Sequence, residues 1–210
     1  PTWVVRLTSP PGRGAPSGSS PSRAEGAPRG CAAYVGAVTI HAEHPFADHD
    51  PQRDAVRQLR GRLGGVVSLW TSGTVADGAG LTISSLAVVQ GEPSRVVAFV
   101  DPLSDFVEQL RETGTAMVHL LSWQHTDLSE VFAGRSPAPG GVFRAASFVD
   151  TAHGPRLDEP CTWAAVRLED ERDVGWSAQV TCVIERIEIS DDVDPLVHRR
   201  GCYRRARDAD

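Results

Sequence analysis

The sequence predicts a mainly β fold in which six or seven strands close, or partly close, into a barrel beside two or three short helices. Segments rich in β-branched and aromatic residues, which favour strands, outnumber segments that have the pattern of a helix. Strands do not alternate regularly with long helices, as a doubly wound parallel sheet would require. The chain also has no G-x-G-x-x-G loop after a strand and no Walker-type loop, so neither nucleotide-binding fold is supported.

Composition narrows the classes of function. The chain has 210 residues, 40% of them hydrophobic, and a formal net charge of −6. That charge disfavours nucleic acid and anionic membranes as partners. All 21 basic residues are arginine, so a bound phosphate must be held by arginine, hydroxyls or backbone N–H groups. Cys161 and Cys182 lie in apolar runs and are expected to be buried thiols of a reduced, cytoplasmic protein.

Residues 1–45 are expected to form a disordered, low-complexity extension, because Pro, Gly, Ser and Ala dominate residues 8–30. A single domain is predicted over residues 46–206, followed by a tail at 207–210. Three histidines lie close together before this domain, at positions 41, 44 and 49. They leave a metal site open, but their spacing on a loop is a weak pattern and we predict no metal.

The domain is expected to begin with a helix capped by Asp50. Val56, Leu59 and Leu63 recur at helical spacing and give it one apolar stripe. Its arginines fall mostly on the other side: Arg53, Arg57, Arg60 and Arg62. We interpret them as a solvated face rather than a binding patch.

Strands are predicted next over seven segments: 65–73, 80–89, 95–101, 115–122, 142–149, 162–170 and 176–189. The first two form a hairpin around a turn at 76–78. Short helices are predicted at 103–111 and 126–132, each followed by a glycine that can end it. In the last strand the apolar period slips between residues 184 and 187, which indicates a bulge.

The segment GLTISSLAVV (80–89) carries the most chemical information. Thr82 and Ser84 share one face of the strand and Ser85 begins the other, because side chains alternate across a strand. Hydroxyls beside aliphatic residues suit a flat ligand that is apolar in its body and polar at its edge, such as an isoalloxazine ring. A solvated strand face would show the same pattern, so both interpretations stay open.

The order of these features resembles the flavin reductase-like, FMN-binding split-barrel family. The resemblance runs from Asp54 to Arg205 through six segments in order: DAVRQLRGRLGGVVSLWT, GLTISSLAVV, RVVAFVDPLSD, AMVHLLS, EVFAG and PLVHRRGCYRR. It implies a six-stranded antiparallel split barrel with flanking helices. It also implies a homodimer that binds FMN near the subunit interface and takes electrons from NADH or NADPH.

The resemblance also implies roles for individual residues. His198 would contact the nicotinamide or the ring edge. The flavin would be bound by a second set: Gly80, Thr82, Ser84, Ser85, Asp101, Ser104, Arg200 and Tyr203. Ser104 would serve the phosphate, with charge supplied by Arg144, Arg199 or Arg200, since its own neighbours are Leu103 and Asp105. His119 stands where the family often has Asn, and is either a core histidine or a group near the flavin.

The expected function is therefore hydride transfer from NAD(P)H to FMN, with a monooxygenase component as a candidate partner. A non-catalytic barrel that binds flavin, deazaflavin or haem is the main alternative. A nucleic-acid-binding barrel is a third class, suggested by five C-terminal arginines between positions 199 and 207. Nearby aspartates balance those arginines and no row of aromatic residues accompanies them, so we predict no nucleic-acid partner.

Overall fold

Strands dominate residues 51–191 and 194–206, which are the residues that this computed structural model describes. The helices are α1 (Pro51–Leu63), α2 (Asp105–Thr113) and α3 (Thr126–Phe132). The strands are β1 (Gly65–Val66), β2 (Ser68–Gly73), β3 (Gly78–Ile83), β4 (Leu86–Val89), β5 (Arg95–Val100), β6 (Thr115–Leu120), β7 (Phe148–Thr151), β8 (Gly154–Leu157), β9 (Trp163–Val174), β10 (Ser177–Glu188), β11 (Leu196–Arg199) and β12 (Cys202–Arg205). The predictions for residues 1–50 and 207–210 lie outside the described residues.

The main sheet is antiparallel and has the strand order β3-β2-β6-β9-β10-β5-β4. Its two outermost strands, β3 and β4, are consecutive in the chain and are joined by only Ser84 and Ser85. Two residues span at most about 7 Å, so the edges of the sheet must meet and the sheet must curl into a barrel. When β3 and β4 are counted as one bent strand, the barrel has six strands, which confirms the predicted fold.

Both faces of the central strands are buried. Neighbouring residues point to opposite sides of a strand, and in β2 the neighbours Leu69 and Trp70 are both fully buried. On β2, Trp70 packs inside the barrel, while Leu69 packs outside it. The inner core also holds Phe106 of α2, whose ring meets Trp70 edge-on at a centroid distance of 6.2 Å. The outer core includes Phe132 of α3. The two flanking helices therefore cover different faces of one sheet.

The predicted helices are confirmed, and α2 ends at Gly114 with a left-handed φ of 72°. Glycine is the usual residue at this position, because it has no Cβ to clash in the left-handed region. The apolar stripe of α1 does not pack on the core. Val56, Leu59 and Leu63 are 64%, 60% and 77% exposed. Among the described residues, no helix has the length and apolar character needed to cross a membrane.

Two strand predictions change. The segment 80–89 divides at Ser84, because β3 pairs with β2 whereas β4 pairs with β5. The segment 142–149 begins as a short 3₁₀ helix and only then enters β7, which forms a hairpin with β8. The predicted bulge is present in β10, where the register shifts between Ile184 and Arg186.

The two cysteines expected in the core are free and buried. Burial disfavours the thiolate, and it raises the pKa of Cys161 to about 11 and that of Cys182 to about 12. Both therefore remain protonated and act as small apolar side chains.

His119 is a core histidine. Its side chain is fully buried on β6, Nδ1 donates to the Leu69 carbonyl at 3.0 Å, and Nε2 accepts from the Leu157 N–H at 3.1 Å. These partners fix the neutral tautomer and tie the β7–β8 hairpin to the barrel. Burial lowers the pKa of His119 to about 4, because the charged imidazolium is poorly solvated there.

This pKa predicts acid sensitivity. The unfolded histidine titrates near 6.5 and the folded one near 4, so the unfolded state binds more protons between these values. The contribution of His119 to the free energy of unfolding should be fully present above about pH 6.5 and should decline toward about pH 4. Between about pH 7.5 and pH 5 the protein should lose about 2 kcal/mol of this free energy. Urea unfolding at the two pH values measures this loss.

The His119→Asn variant is the comparison. It should unfold at lower urea than the wild type at pH 7.5, and its stability should fall less on acidification. An equal loss in both proteins would show that another group causes the acid sensitivity.

Candidate active site

A cleft of about 940 Å³ opens where β3 bends into β4. Five parts of the chain line it: the second half of α1 with Gly64, Val67 before β2, the end of β3 with the bend at Ser84 and Ser85, the residues after α3, and the β11–β12 hairpin. The side of the barrel therefore supplies the floor of the cleft. The helix and the hairpin supply its rim.

The β11–β12 hairpin is held in place by backbone hydrogen bonds. β1 pairs with β11, so that Gly65 lies opposite His198. The Val67 N–H donates to the Leu196 carbonyl at 2.8 Å, and the Arg200 N–H donates to the Gly61 carbonyl of α1 at 2.8 Å. The rim of the cleft is thus fixed to the start of the barrel by residues far apart in the chain.

Arg200 and Gly201 form the turn of this hairpin, and both have a positive φ, of 56° and 75°. Two central residues with positive φ are characteristic of the type I′ turn, which matches the twist of a hairpin. An arginine is unusual there, because left-handed backbone costs a non-glycine residue about 1–2 kcal/mol and Asn or Gly is the common choice. The Arg200 side chain lines the cleft.

The floor of the cleft carries the three hydroxyl residues of the bend. Thr82 Oγ1 donates to the Ser129 carbonyl at 2.8 Å, and Ser85 Oγ donates to the Phe99 carbonyl at 2.6 Å. Ser84 lies between them against Gly65, where an added Cβ would stand only 2.4 Å from the Ser84 carbonyl oxygen. Glycine is therefore required at position 65 for the backbone to approach the bend this closely.

A polar chain crosses the other side of the cleft. Arg135 forms an ion pair with Glu130 at 2.6 Å and donates to the Tyr203 hydroxyl at 2.5 Å. The Tyr203 ring meets the His198 ring edge-on, with centroids 5.6 Å apart. Partial burial, with Arg135 as the next cause, lowers the pKa of His198 from its usual 6.5, since both disfavour the imidazolium. His198 is therefore mainly neutral at pH 7.

The charged side chains that line the cleft are arginines. None of its described lining residues is Asp or Glu. Five of them are arginines: Arg57, Arg60, Arg62, Arg135 and Arg200. Arg135 is neutralised by Glu130, which also has its pKa lowered by that hydrogen bond. A cleft of this charge favours an anionic ligand.

Six of the nine residues predicted for the site line this cleft: Thr82, Ser84, Ser85, His198, Arg200 and Tyr203. The other three do not. Gly80 faces Phe132, whose ring would lie 2.6 Å from an added Cβ, so its small size serves packing. Asp101 and Ser104 close the turn before α2, where Ser104 Oγ donates to the Asp101 carbonyl at 2.8 Å. Of the arginines suggested for the phosphate, Arg200 lines the cleft, but Arg144 and Arg199 do not.

Sequence reasoning missed the arginines of α1. Arg57, Arg60 and Arg62 were expected to face bulk water, yet they border the cleft. The helical pattern could not show this, because the apolar stripe of α1 does not mark a core-facing side. Arg135 was missed because only the folded chain brings it to Tyr203.

Within residues 51–191 and 194–206, no group of three His, Cys, Asp or Glu side chains is arranged to hold a metal ion. The three histidines at positions 41, 44 and 49 lie outside this part of the chain. The polar side chains that line the cleft are arginine guanidinium groups, the hydroxyls of Thr82, Ser84, Ser85 and Tyr203, the Gln58 amide and the His198 imidazole.

The effect of Arg135 on His198 can be tested by NMR. The Arg135→Gln variant removes a nearby positive charge and frees Glu130, and both changes favour the imidazolium. The pKa of His198, followed through its imidazole resonances, should rise toward the ordinary value. Arg144→Gln, which removes an exposed arginine outside the cleft, should leave it unchanged. A His198 pKa that falls or stays constant in Arg135→Gln would contradict the coupling.

Comparison with known proteins gives this cleft a context. The family model described as "Flavin reductase like domain" matches residues 60–207. The chain is 24% identical over 167 residues to the 4-hydroxyphenylacetate 3-monooxygenase reductase component of Pseudomonas aeruginosa, covering 75% of this chain and 97% of that protein. It is 24% identical over 151 residues to the FMN reductase (NADH) RutF of Methylorubrum populi, covering 71% of this chain and 74% of that protein.

A solved structure shares the fold. The NADH:FAD oxidoreductase SgcE6 of Streptomyces globisporus superposes with a TM-score of 0.68 at 19% identity, over 79% of this chain and all of that one. The family match covers the barrel, the hydroxyl bend and the C-terminal hairpin. The chain belongs to the flavin reductase like domain family.

Proposed function

We propose that the cleft binds a flavin beside a reduced nicotinamide, and that the protein reduces flavin, with FMN as the expected acceptor and NADH or NADPH as the donor. One observation carries this proposal. The hydroxyl bend, His198 and a group of arginines meet in a single cleft inside the segment that matches the family. A flavin nucleotide combines a flat ring with an anionic phosphate, and the cleft offers complementary groups for both.

The cleft fits such a ligand. Its volume is about 940 Å³, which lies within the range of small-molecule sites. Gly64 lines the cleft, and Gly65 lets the backbone lie directly against Ser84 at the bend, so main chain forms this part of the wall. Val67 adds an apolar surface, and the arginines supply cations for phosphate.

We assign the ring to the floor of the cleft and the phosphate to its arginine-rich side. Thr82, Ser84 and Ser85 would contact the ring. Thr82 and Ser85 already donate their hydroxyl protons to backbone carbonyls, so their oxygens accept hydrogen bonds from a ligand. Arg200 would contact a phosphate.

His198 and Tyr203 form the wall where the nicotinamide would enter. The lowered pKa keeps His198 neutral at pH 7, so it can orient a ring without adding charge. A flavin held by Thr82, Ser84 and Ser85 would supply the hydride acceptor for the reduced nicotinamide, and a proton from water would complete the two-electron reduction. The protein positions the two rings, which requires no nucleophile and no strong base.

We also propose that reduced flavin passes to a separate oxygenase. One relative is the reductase component of a 4-hydroxyphenylacetate 3-monooxygenase, and it matches this chain over 97% of its own length. A separate oxygenase that uses the reduced flavin would suit this protein, because the cleft is open at the surface and the reduced flavin can leave it.

A homodimer is proposed on a different observation. The exposed stripe of Val56, Leu59 and Leu63 on α1 is a surface that a second copy could cover. The Leu59→Asp variant should then elute later than the wild type in size-exclusion chromatography with light scattering, at the mass of one chain. An unchanged mass for both proteins would place any interface elsewhere.

The central test is consumption of NADH or NADPH by the purified protein with FMN, followed by the loss of nicotinamide absorbance. Turnover above the protein-free background is expected. The Gly65→Ala variant should weaken FMN binding by about tenfold or more, because its methyl group must displace the Ser84 peptide. Gly91→Ala provides a matched control in the β4–β5 turn, where the added carbon meets no atom closer than 3.3 Å.

Two outcomes would redirect the proposal. Flavin binding without oxidation of either nicotinamide would identify a non-catalytic flavin or deazaflavin carrier. A protein that binds no flavin would remove the proposed role of the cleft.

A further inference from the structure

A second cavity lies on the wall of the barrel opposite the bend. We call it the hairpin cavity, because its floor comes from β6, β9 and β10 and its other side from the β7–β8 hairpin. Strand β9 is the central strand of the main sheet, three strands away from both β3 and β4. The cavity has a volume of about 510 Å³, which is within the range of small-molecule sites. It shares no described lining residue with the cleft.

The floor of the hairpin cavity is apolar and carries charge along one side. Met117 of β6 pairs with Ala165 of β9, which in turn pairs with Arg186 of β10. In the next row on the same face, Trp163 pairs with Glu188. Met117, Ala165 and Trp163 are all buried. The cavity therefore offers an apolar surface beside a cation and a carboxylate.

The bulge of β10 brings Arg186 to this face. In a regular strand the neighbours Glu185 and Arg186 would point to opposite sides. The register shift between Ile184 and Arg186 inserts one residue. As a result Glu185 reaches His153 of the hairpin, and Arg186 still lines the cavity. Bulges that redirect a side chain are frequent beside functional sites.

Hydrogen bonds fix the β7–β8 hairpin against this floor. His153 Nε2 lies 2.8 Å from Glu185 Oε2 at the turn of the hairpin. Thr71 Oγ1 of β2 donates to the Pro155 carbonyl at 2.5 Å. The contact with His119 described above holds the end of β8. The cavity is therefore preformed, which lowers the cost of ordering the site when a ligand binds.

Two arginines of the hairpin cavity have only distant carboxylate partners. Arg156 lies 3.7 Å from Asp158, and Arg186 lies 3.8 Å from Glu188. The other arginine–carboxylate pairs of the described residues are 2.5–2.8 Å apart. Both guanidinium groups instead lie over the Trp163 ring, 5.9 and 5.3 Å from its centre. Most of their N–H donors therefore remain available to an anion.

We propose that the hairpin cavity binds an aromatic monocarboxylate. The ring would lie on the apolar floor and the carboxylate between Arg156 and Arg186, since guanidinium groups bind carboxylates through parallel N–H donors and stack on aromatic rings. Two arginines and Glu188 give the lining one net positive charge, which one carboxylate balances. His153 adds no unpaired charge, because Glu185 is its partner.

Binding can be followed through Met117, the only methionine among the 210 residues. NMR of protein labelled with ¹³C at the methionine methyl group therefore reports on the floor of the cavity through one resonance. Titration with benzoate, without flavin or nicotinamide, should shift this resonance until it saturates, because the ring current of benzoate changes the shielding of the nearby methyl group. Benzyl alcohol lacks the carboxylate and should bind about tenfold more weakly.

Charge variants locate the carboxylate of the ligand. Arg156→Gln and Arg186→Gln should each weaken benzoate binding by about tenfold. The Arg186 side chain is 70% exposed, so its replacement tests the site even if Arg156→Gln unfolds. Glu188→Gln should strengthen binding several-fold, because it removes a negative charge from the lining. Arg60→Gln, which removes an arginine of the cleft, is the matched control and should leave the benzoate affinity unchanged.

Any of three results would overturn this inference: a Met117 resonance that benzoate does not shift, benzyl alcohol binding as tightly as benzoate, or benzoate affinity that depends on Arg60 and not on Arg156 or Arg186. Tighter binding of L-phenylalanine than of benzoate, lost in Glu188→Gln, would identify a zwitterionic ligand and refute the monocarboxylate. These measurements contain no flavin and no nicotinamide, so their outcome is independent of the reductase proposal.

Discussion

The short step from β3 to β4 is the constraint on which the rest of the structure depends. The chain has two residues, Ser84 and Ser85, in which to pass from one edge of the sheet to the other. The sheet can satisfy this only by curling, and the strand must change partners at the bend. Ser85 pairs through its backbone with Phe99 of β5, so the far edge is joined at once.

The bend leaves the side of the barrel open, and the cleft lies there. Other segments then cover this opening and deepen the cleft. Glycine at position 65 lets the backbone before β2 lie directly against Ser84, and β11 pairs with β1. The arrangement of His198 and Arg200 at the rim is thus a consequence of how the barrel closes.

The fold was largely predictable because its signals are local. Strand periodicity, the hairpin turn at 76–78 and the glycines after the helices each specify nearby backbone, and the bulge in β10 followed from one slip of the apolar period. The short hairpins β7–β8 and β11–β12 were not predicted. Strands of four residues carry too few alternating positions to be recognised.

The site was only partly predictable for a related reason. The hydroxyl bend could be identified because its residues are adjacent in sequence. The arginines of α1 could not, since helical spacing shows which residues share a face but not what that face meets. Asp101 and Ser104 show the opposite error. The Ser104 hydroxyl suits a phosphate and Asp101 was expected at the flavin site beside it, but in the structure both side chains hydrogen-bond within their own turn.

The pairing of β1 with β11 has a consequence for the order of folding. Gly65 and His198 lie far apart in the chain, whereas the β2–β3 and β9–β10 hairpins form between near neighbours. The entropy cost of closing a loop rises with the length of chain between the paired residues. The barrel wall is therefore expected to assemble before the rim of the cleft. A folding intermediate would contain the hydroxyl bend but lack His198, Arg200 and Tyr203, so it would be compact yet unable to complete the ligand site.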